Sequence, residues 1–268
     1  MTQKAKFFGG VTITAVLLTA SLAAVPAWSS DEAFMIGVAI SANDLKDLEY
    51  HIKEGANVNA ADESGVTPLM TAAKDSDNPE IFRLLIGKGA KVNAADEDGW
   101  TPLMYAARHN SNTEVFRLLI DRGAKVDAAD KDGWTSLMYA ALYNTNYEIA
   151  RLLLEKGAAV DIADKNGVTS LMHAAGNNEN VEVVRLLLEK GAKIDAVNED
   201  GMTPLMYAAG NNENPRILRL LLDEGADVSK KDNFDQTALD YAAENKALAG
   251  TSAYELLQQK TQKTLKKR

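Results

Sequence analysis

The sequence predicts an all-α solenoid, and three observations carry that prediction. A seven-residue stretch, Thr-Pro-Leu-Met-x-Ala-Ala, stands at 67–73, 101–107 and 203–209, and with Ser for Pro at 135–141 and 169–175. A worn copy, Thr237-Ala-Leu-Asp-Tyr-Ala-Ala243, closes the series, and successive starts are always 34 residues apart. A fixed period of this size marks a stacked-repeat architecture. Each period reads as two short helices and an extended finger, too little to bury its own apolar stripe, so neighbours must stack. A chain of 268 residues would otherwise suggest one or two globular domains. The repeat replaces that expectation with one continuous core.

Ahead of the repeats, Lys4 and Lys6 precede an apolar run over 11–24, followed by the small residues of Val25-Pro-Ala27 and then Asp31 and Glu32. This is the layout of a secretory signal peptide over 1–27, leaving 28–268 as the exported solenoid, periplasmic or secreted. The competing reading is an uncleaved membrane anchor over 7–25, since about 18–20 apolar residues suffice to span. Cleavage is favoured because the apolar core is short and rich in Ala and Thr.

The first unit, about 31–61, is degenerate. A short helix over 33–40 is followed by a second over 44–54 with Leu45, Leu48 and Ile52 on one face, and the joint between them is one residue short. A terminal repeat is expected to depart from the pattern, because its outer face meets water. The unit 63–96 shows the regular plan. Thr67 is a good N-cap, and Pro68 at the first helical position loses no useful N–H. Leu69, Ala72 and Ala73 follow at helical spacing, the alanines admitting another helix at close range. The run 74–78 breaks that helix, and Asn78 with Pro79 starts the second, whose stripe is Ile81, Leu84 and Leu85. Gly89 ends it in the left-handed region, with Lys88 at the carbonyl end of the dipole. Residues 90–99 then form an extended finger closing in an Asp/Gly turn. Units 97–130, 131–164, 165–198 and 199–232 repeat the plan. A degenerate seventh, 233–268, takes its last helix from Tyr254, Leu256 and Leu257 and ends in Lys263, Lys266, Lys267 and Arg268, a solvated basic terminus.

At these Thr-Pro-Leu-Met-x-Ala-Ala residues the chain resembles the ankyrin-repeat family, over about 31–262. It departs from the family pattern twice. The usual His of Thr-Pro-Leu-His is Met70, Met104, Met138, Met172 and Met206, so the family's Thr–His hydrogen-bond network is absent and apolar packing is expected instead. The joint between helices is one residue longer, with Asn at 110/112, 144/146, 178/180 and 212/214. Asn tolerates the left-handed conformation and caps helices, so each pair reads as a stop and a start. A ladder of asparagines binding sugar or peptide is the functional alternative.

Reactive chemistry is hard to find. A net charge of −9 argues against nucleic acid, which needs a basic footprint. The lack of cysteine removes disulfides, thiol nucleophiles and thiolate metal sites. His51, His109 and His173 are scattered over different units, without metal-pair spacing, and read as surface or groove residues. Asp96-x-Asp98-Gly99 and Asp130-x-Asp132-Gly133 have too few oxygen ligands for a calcium loop and suit a turn. No nucleophile elbow, P-loop or dinucleotide fingerprint appears. No metal, no cofactor and no enzymatic activity are expected.

What varies among the copies points to a partner. The residue after the finger glycine runs Val66, Trp100, Trp134, Val168, Met202. The resemblance implies that this position and the two residues after Ala-Ala line a concave binding face. Those residues are Trp100 with Arg108 and His109, Trp134 with Leu142 and Tyr143, and Met202 with Gly210 and Asn211. Trp, Tyr and Arg anchor protein interfaces. The alternative is that both Trp only stack and stiffen the fingers; the column Thr71, Tyr105, Tyr139, His173, Tyr207 and Tyr241 reads as stacking between units. The expected function is an extracytoplasmic protein-protein interaction module with a protein partner. An inhibitor or immunity-type protein for a secreted enzyme, or a membrane-tethered scaffold, stand as alternatives.

Overall fold

The structure, a computed structural model, describes residues 31–266; the signal-peptide expectation falls on 1–27, outside the described residues. Among the described residues fourteen helices follow one another in seven pairs: α1 Asp31–Ser41 and α2 Leu45–Lys53, α3 Pro68–Asp75 and α4 Pro79–Gly87, α5 Pro102–His109 and α6 Thr113–Asp121, α7 Ser136–Tyr143 and α8 Tyr147–Glu155, α9 Ser170–Asn177 and α10 Val181–Glu189, α11 Pro204–Asn211 and α12 Pro215–Asp223, and α13 Ala238–Glu244 and α14 Ser252–Leu265. Odd helices pack on odd helices and even on even, so the molecule is two stacked layers with the core between them. No strand forms among the described residues; isolated bridges join Ala129 with Thr135 and Ala163 with Thr169 in the fingers.

Local chemistry sets each helix. Thr101, Thr135 and Thr203 cap the odd helices, their hydroxyls accepting from the N–H of Met104, Met138 and Met206 at 3.3–3.4 Å. The methionines do more than pack. In these units and at Thr67 the Met sulfur accepts the threonine's own N–H, at 3.3–3.5 Å. A thioether is a weak acceptor, yet it completes the reciprocal cap that a Glu or Gln usually closes. Pure apolar replacement was therefore only half of the answer. Leu103, Ala106 and Ala107, and their counterparts in the units of α3, α7, α9 and α11, are fully buried, as are Phe82 and Phe116 on the even layer. Truncating such a phenylalanine removes about 3–5 kcal/mol.

The asparagine pairs stop and start helices, and they also join the units. Asn112, Asn146, Asn180 and Asn214 cap the even helices. Asn110 closes α5 in extended backbone (φ −114°, ψ 137°), so the left-handed stop is not used. Its side chain instead donates to the Ser76 carbonyl of the preceding unit at 2.7 Å and accepts from Asn112 N–H at 2.8 Å. Asn144, Asn178, Asn212 and Asn245 repeat the step, each donating to the equivalent asparagine one unit back. The second asparagines form a parallel ladder, with Asn146 donating to Ser111 O and Asn180 to Thr145 O. Burial and these bonds occupy the amides, so the sugar- or peptide-binding ladder is withdrawn. A third tie joins the finger tips, where Lys131 N–H donates to Asp98 O and Lys165 N–H to Asp132 O at 2.9–3.0 Å.

Candidate functional site

On the face shared by fingers and odd helices, the aromatic residues form one continuous stack. Trp100 lies 5.1 Å from Tyr105 of its own unit and 4.3 Å from Tyr139 of the next, centroid to centroid. Trp134 lies 5.0 Å from Tyr139 and 4.1 Å from His173. The stack therefore runs Tyr105, Trp100, Tyr139, Trp134, His173 across three units, each indole resting on the helix that follows its finger. Both Trp remain half-buried.

The finger turns hold this stack in place. Asp96 and Asp130 each accept two turn N–H groups with one carboxylate oxygen. The other oxygen takes the tyrosine hydroxyl nine residues on, Tyr105 at 2.7 Å and Tyr139 at 2.5 Å. Tyr241 makes the same bond to Asp232. Burial first, then the carboxylate beside it, pushes the Tyr105 and Tyr139 hydroxyls above the ordinary range, so they stay protonated donors.

Arg108 closes the site. Its guanidinium sits 5.5 Å from the Trp100 ring centre and 4.6 Å from that of Tyr143, within cation–π range of both. Below it is a cleft of about 270 Å³ lined by Asp96, Asp98, Trp100, Tyr105, Arg108 and His109. Arg108, His109 and Tyr143 are exposed, and Leu142 is half-buried. Partial burial, then Arg108, lowers the His109 pKa, so it is neutral at pH 7.

The profile for ankyrin repeats, three copies long, matches residues 36–130, 112–198 and 190–267. The chain belongs to the ankyrin-repeat family. It is similar to the human ASB11 ankyrin repeat domain, at 26% identity and a TM-score of 0.73, over 84% of this chain and 96% of that one. It is also similar to the ankyrin repeat domain of Bcl-3, described as a unique member of the IkappaB protein family, at 29% identity and a TM-score of 0.64, over 84% and 97%. No curated protein sequence matches it. Ankyrin repeats generally mediate protein–protein interaction, and the fold is typically a non-enzymatic binding scaffold.

Within the ankyrin stack, the residues singled out from sequence do not all converge. Trp100, Arg108 and His109 share one cleft, Tyr143 joins through Arg108, and Trp134 through Tyr139. Met202 packs against the core two units beyond Trp134 and lies outside this cluster. There the column tyrosines rest on glycine: a Cβ at Gly176 would stand 3.2 Å from Tyr207, and at Gly210 3.4 Å from Tyr241. Asp96, Asp98 and Tyr105 line the cleft without having been singled out for it. The Asp–Tyr spacing of nine, repeated at 96/105, 130/139 and 232/241, was the available signal.

His173 corrects another expectation. It is buried, not at the surface or in the groove, with 7% of its area exposed. Its Nε2 has no hydrogen-bond partner among the described residues and stands 3.9 Å from Asp164 Oδ2, because imidazole is shorter than the phenol with which Tyr139 reaches Asp130 in the preceding ankyrin unit. Burial pushes its pKa down to about 4, against a smaller upward pull from Asp164.

Proposed function

We propose that this ankyrin-repeat chain is an exported protein-binding module whose partner docks on the finger and odd-helix face, centred on Trp100, Arg108 and Tyr143. One observation carries the reading. Arg108 is held between two rings and makes no ion pair among the described residues, so the edges of its guanidinium remain for an acceptor on another molecule. Arg, Trp and Tyr are the residue types that dominate interface energetics, and Tyr143 leaves 46% of its surface open. The stack beneath supplies a rigid base, which lowers the ordering cost of association. Leu142, His109 and Trp134 flank this centre. Export rests on Lys4, Lys6 and the apolar run that follows them.

The test pairs two variants with two readouts. Arg108→Ala and Tyr143→Ala should leave the chain folded and cost no more than about 1–2 kcal/mol, the worth of the exposed cation–π contacts they remove. They should lower recovery of the protein partner captured by the parent chain from its own compartment. Undiminished capture by both variants would remove Arg108 and Tyr143 from the interface. Intact mass of the exported protein tests the rest: loss of about 27 residues is expected of a cleaved signal, and a full-length membrane-bound chain would point to a tethered scaffold.

A further inference from the structure

The even-numbered helices carry a row of alternating charge whose last step is reversed. The residue two places after each capping asparagine is Glu80, Glu114, Glu148 and Glu182, and then Arg216. Three places further on come Arg83, Arg117, Arg151, Arg185 and Arg219. The glutamates serve these arginines within a unit, as in Arg83–Glu80, Arg151–Glu148 and Arg185–Glu182. Arg83 also reaches forward to Glu114, thirty-one residues on in the next unit. The same register carries Arg185 forward to Arg216. A guanidinium therefore stands where the repeat places a carboxylate, and Arg219 lacks the in-unit glutamate that serves Arg83, Arg151 and Arg185. Arg219 turns to Asp223 instead, at 2.8 Å, while Arg216 makes no ion pair among the described residues.

Arg216 also sits in the first turn of α12, where a cation opposes the helix dipole. A local rule kept in four units and broken in the fifth, at a cost to the scaffold, marks a functional position. The reversal coincides with a cleft. Arg185, Arg216 and Arg219 line a space of about 280 Å³ with Val181, Leu220 and the start of α14 at Ser252 and Ala253. Asp223 borders it too, and its carboxylate engages Arg219. The first-turn N–H groups of α14 at Ser252 and Ala253 have no acceptor within their helix.

We infer that this cleft between α10, α12 and α14 is a binding site for a phosphate group, which takes the place the missing glutamate carboxylate holds in the other units. Guanidinium forks match phosphate oxygens two at a time, and a dianion suits a cleft lined by three arginines better than a single carboxylate does. The site lies on the even-helix layer, away from the Trp100 cleft, and stands whether or not that face binds a protein. The phosphate can belong to a soluble molecule or to a lipid headgroup.

The experiment titrates inorganic phosphate into the full folded chain at constant ionic strength, with chloride as reference, and follows backbone and arginine Nε resonances. Saturable shifts confined to Arg185, Arg216, Arg219, Ser252 and Ala253 are expected. Arg216→Glu should weaken them by roughly tenfold or more while keeping the fold, because it restores the ion-pair row and should melt no lower than the parent. Sedimentation with phosphatidylglycerol vesicles, set against phosphatidylcholine, separates the sources. Co-sedimentation that Arg216→Glu abolishes assigns a lipid headgroup; its absence alongside saturable phosphate binding assigns a soluble phosphate. Phosphate shifts no larger than those of chloride, or unchanged in Arg216→Glu, overturn the site.

Discussion

Replacing His173 by Tyr tests the physical account of the stack most directly. In the fourth unit the Tyr139 hydroxyl meets Asp130 at 2.5 Å, whereas in the fifth the imidazole Nε2 stops 3.9 Å short of Asp164, buried and without a partner. An unpartnered buried polar group costs about 1–3 kcal/mol, and a hydrogen bond to a charged acceptor contributes about 1.5–3 kcal/mol. Trp134 already stacks on Tyr139 as it does on His173, so the larger ring keeps its ring contact. The variant should gain about 1–3 kcal/mol, which in a chain of this size is roughly 2–4 °C of melting temperature per kcal/mol. The pH dependence is a second readout. The histidine pKa is about 4 in the folded chain and about 6.5 when unfolded. The unfolded state therefore binds the proton more readily. The contribution of neutral His173 is complete above pH 6.5, falls as pH drops through the interval, and is lost below pH 4, about 3 kcal/mol in all. Tyr has no such titration, so the variant's advantage should widen as pH falls. Urea unfolding at pH 7.5, 6, 5 and 4 measures both effects. A variant no more stable than the parent at pH 7.5, with a difference that stays flat down to pH 4, would refute the reasoning.

Three further perturbations probe the scaffold. Asn178→Ala removes two donated bonds and one accepted bond from the buried ladder; it should cost about 2–4 kcal/mol, while the neighbouring exposed Asn177→Ala should cost almost nothing, both read by urea midpoint. Gly133→Ala places a Cβ 3.1 Å from the Lys165 backbone nitrogen at φ 86°, whereas Gly157→Ala, at φ 96°, meets nothing within 4 Å. The second should cost about 1 kcal/mol for the left-handed backbone alone, and the first about 1–3 kcal/mol more for the collision; equal losses in thermal melting would contradict the close finger contact. Trp100→Ala should lower stability by about 1–3 kcal/mol through lost stacking on Tyr105 and Tyr139, with hydrogen exchange rising first at the fingers of the third and fourth units.

Much of the local structure was readable because its causes act within a few residues. Thr101 with Pro102 starts a helix, Asn112 starts its partner, and Gly123 ends it at φ 89° whatever lies alongside. The finger glycines looked equally local, since a turn there wants a positive φ. The last copy shows that more is involved: Asp235 adopts φ 62° at the same position, with no following finger packed on it among the described residues. Glycine at 65, 99, 133, 167 and 201 therefore answers the next finger's backbone as much as the turn.

The candidate site was legible in part for the same reason. That Trp100, Trp134 and Tyr143 depart from the repeat is a property of the string. That Arg108 would lie between Trp100 and Tyr143, that His173 would be too short for Asp164, and that Arg185, Arg216 and Arg219 would line one cleft depend on side chains that neighbouring units bring together. The 34-residue period, the helix boundaries and the need for stacking were written in residue order, because caps, prolines and apolar spacing act along the chain. The asparagine ladders, the aromatic stack and the arginine cleft came from the stack itself, whose register sets residues from different units side by side.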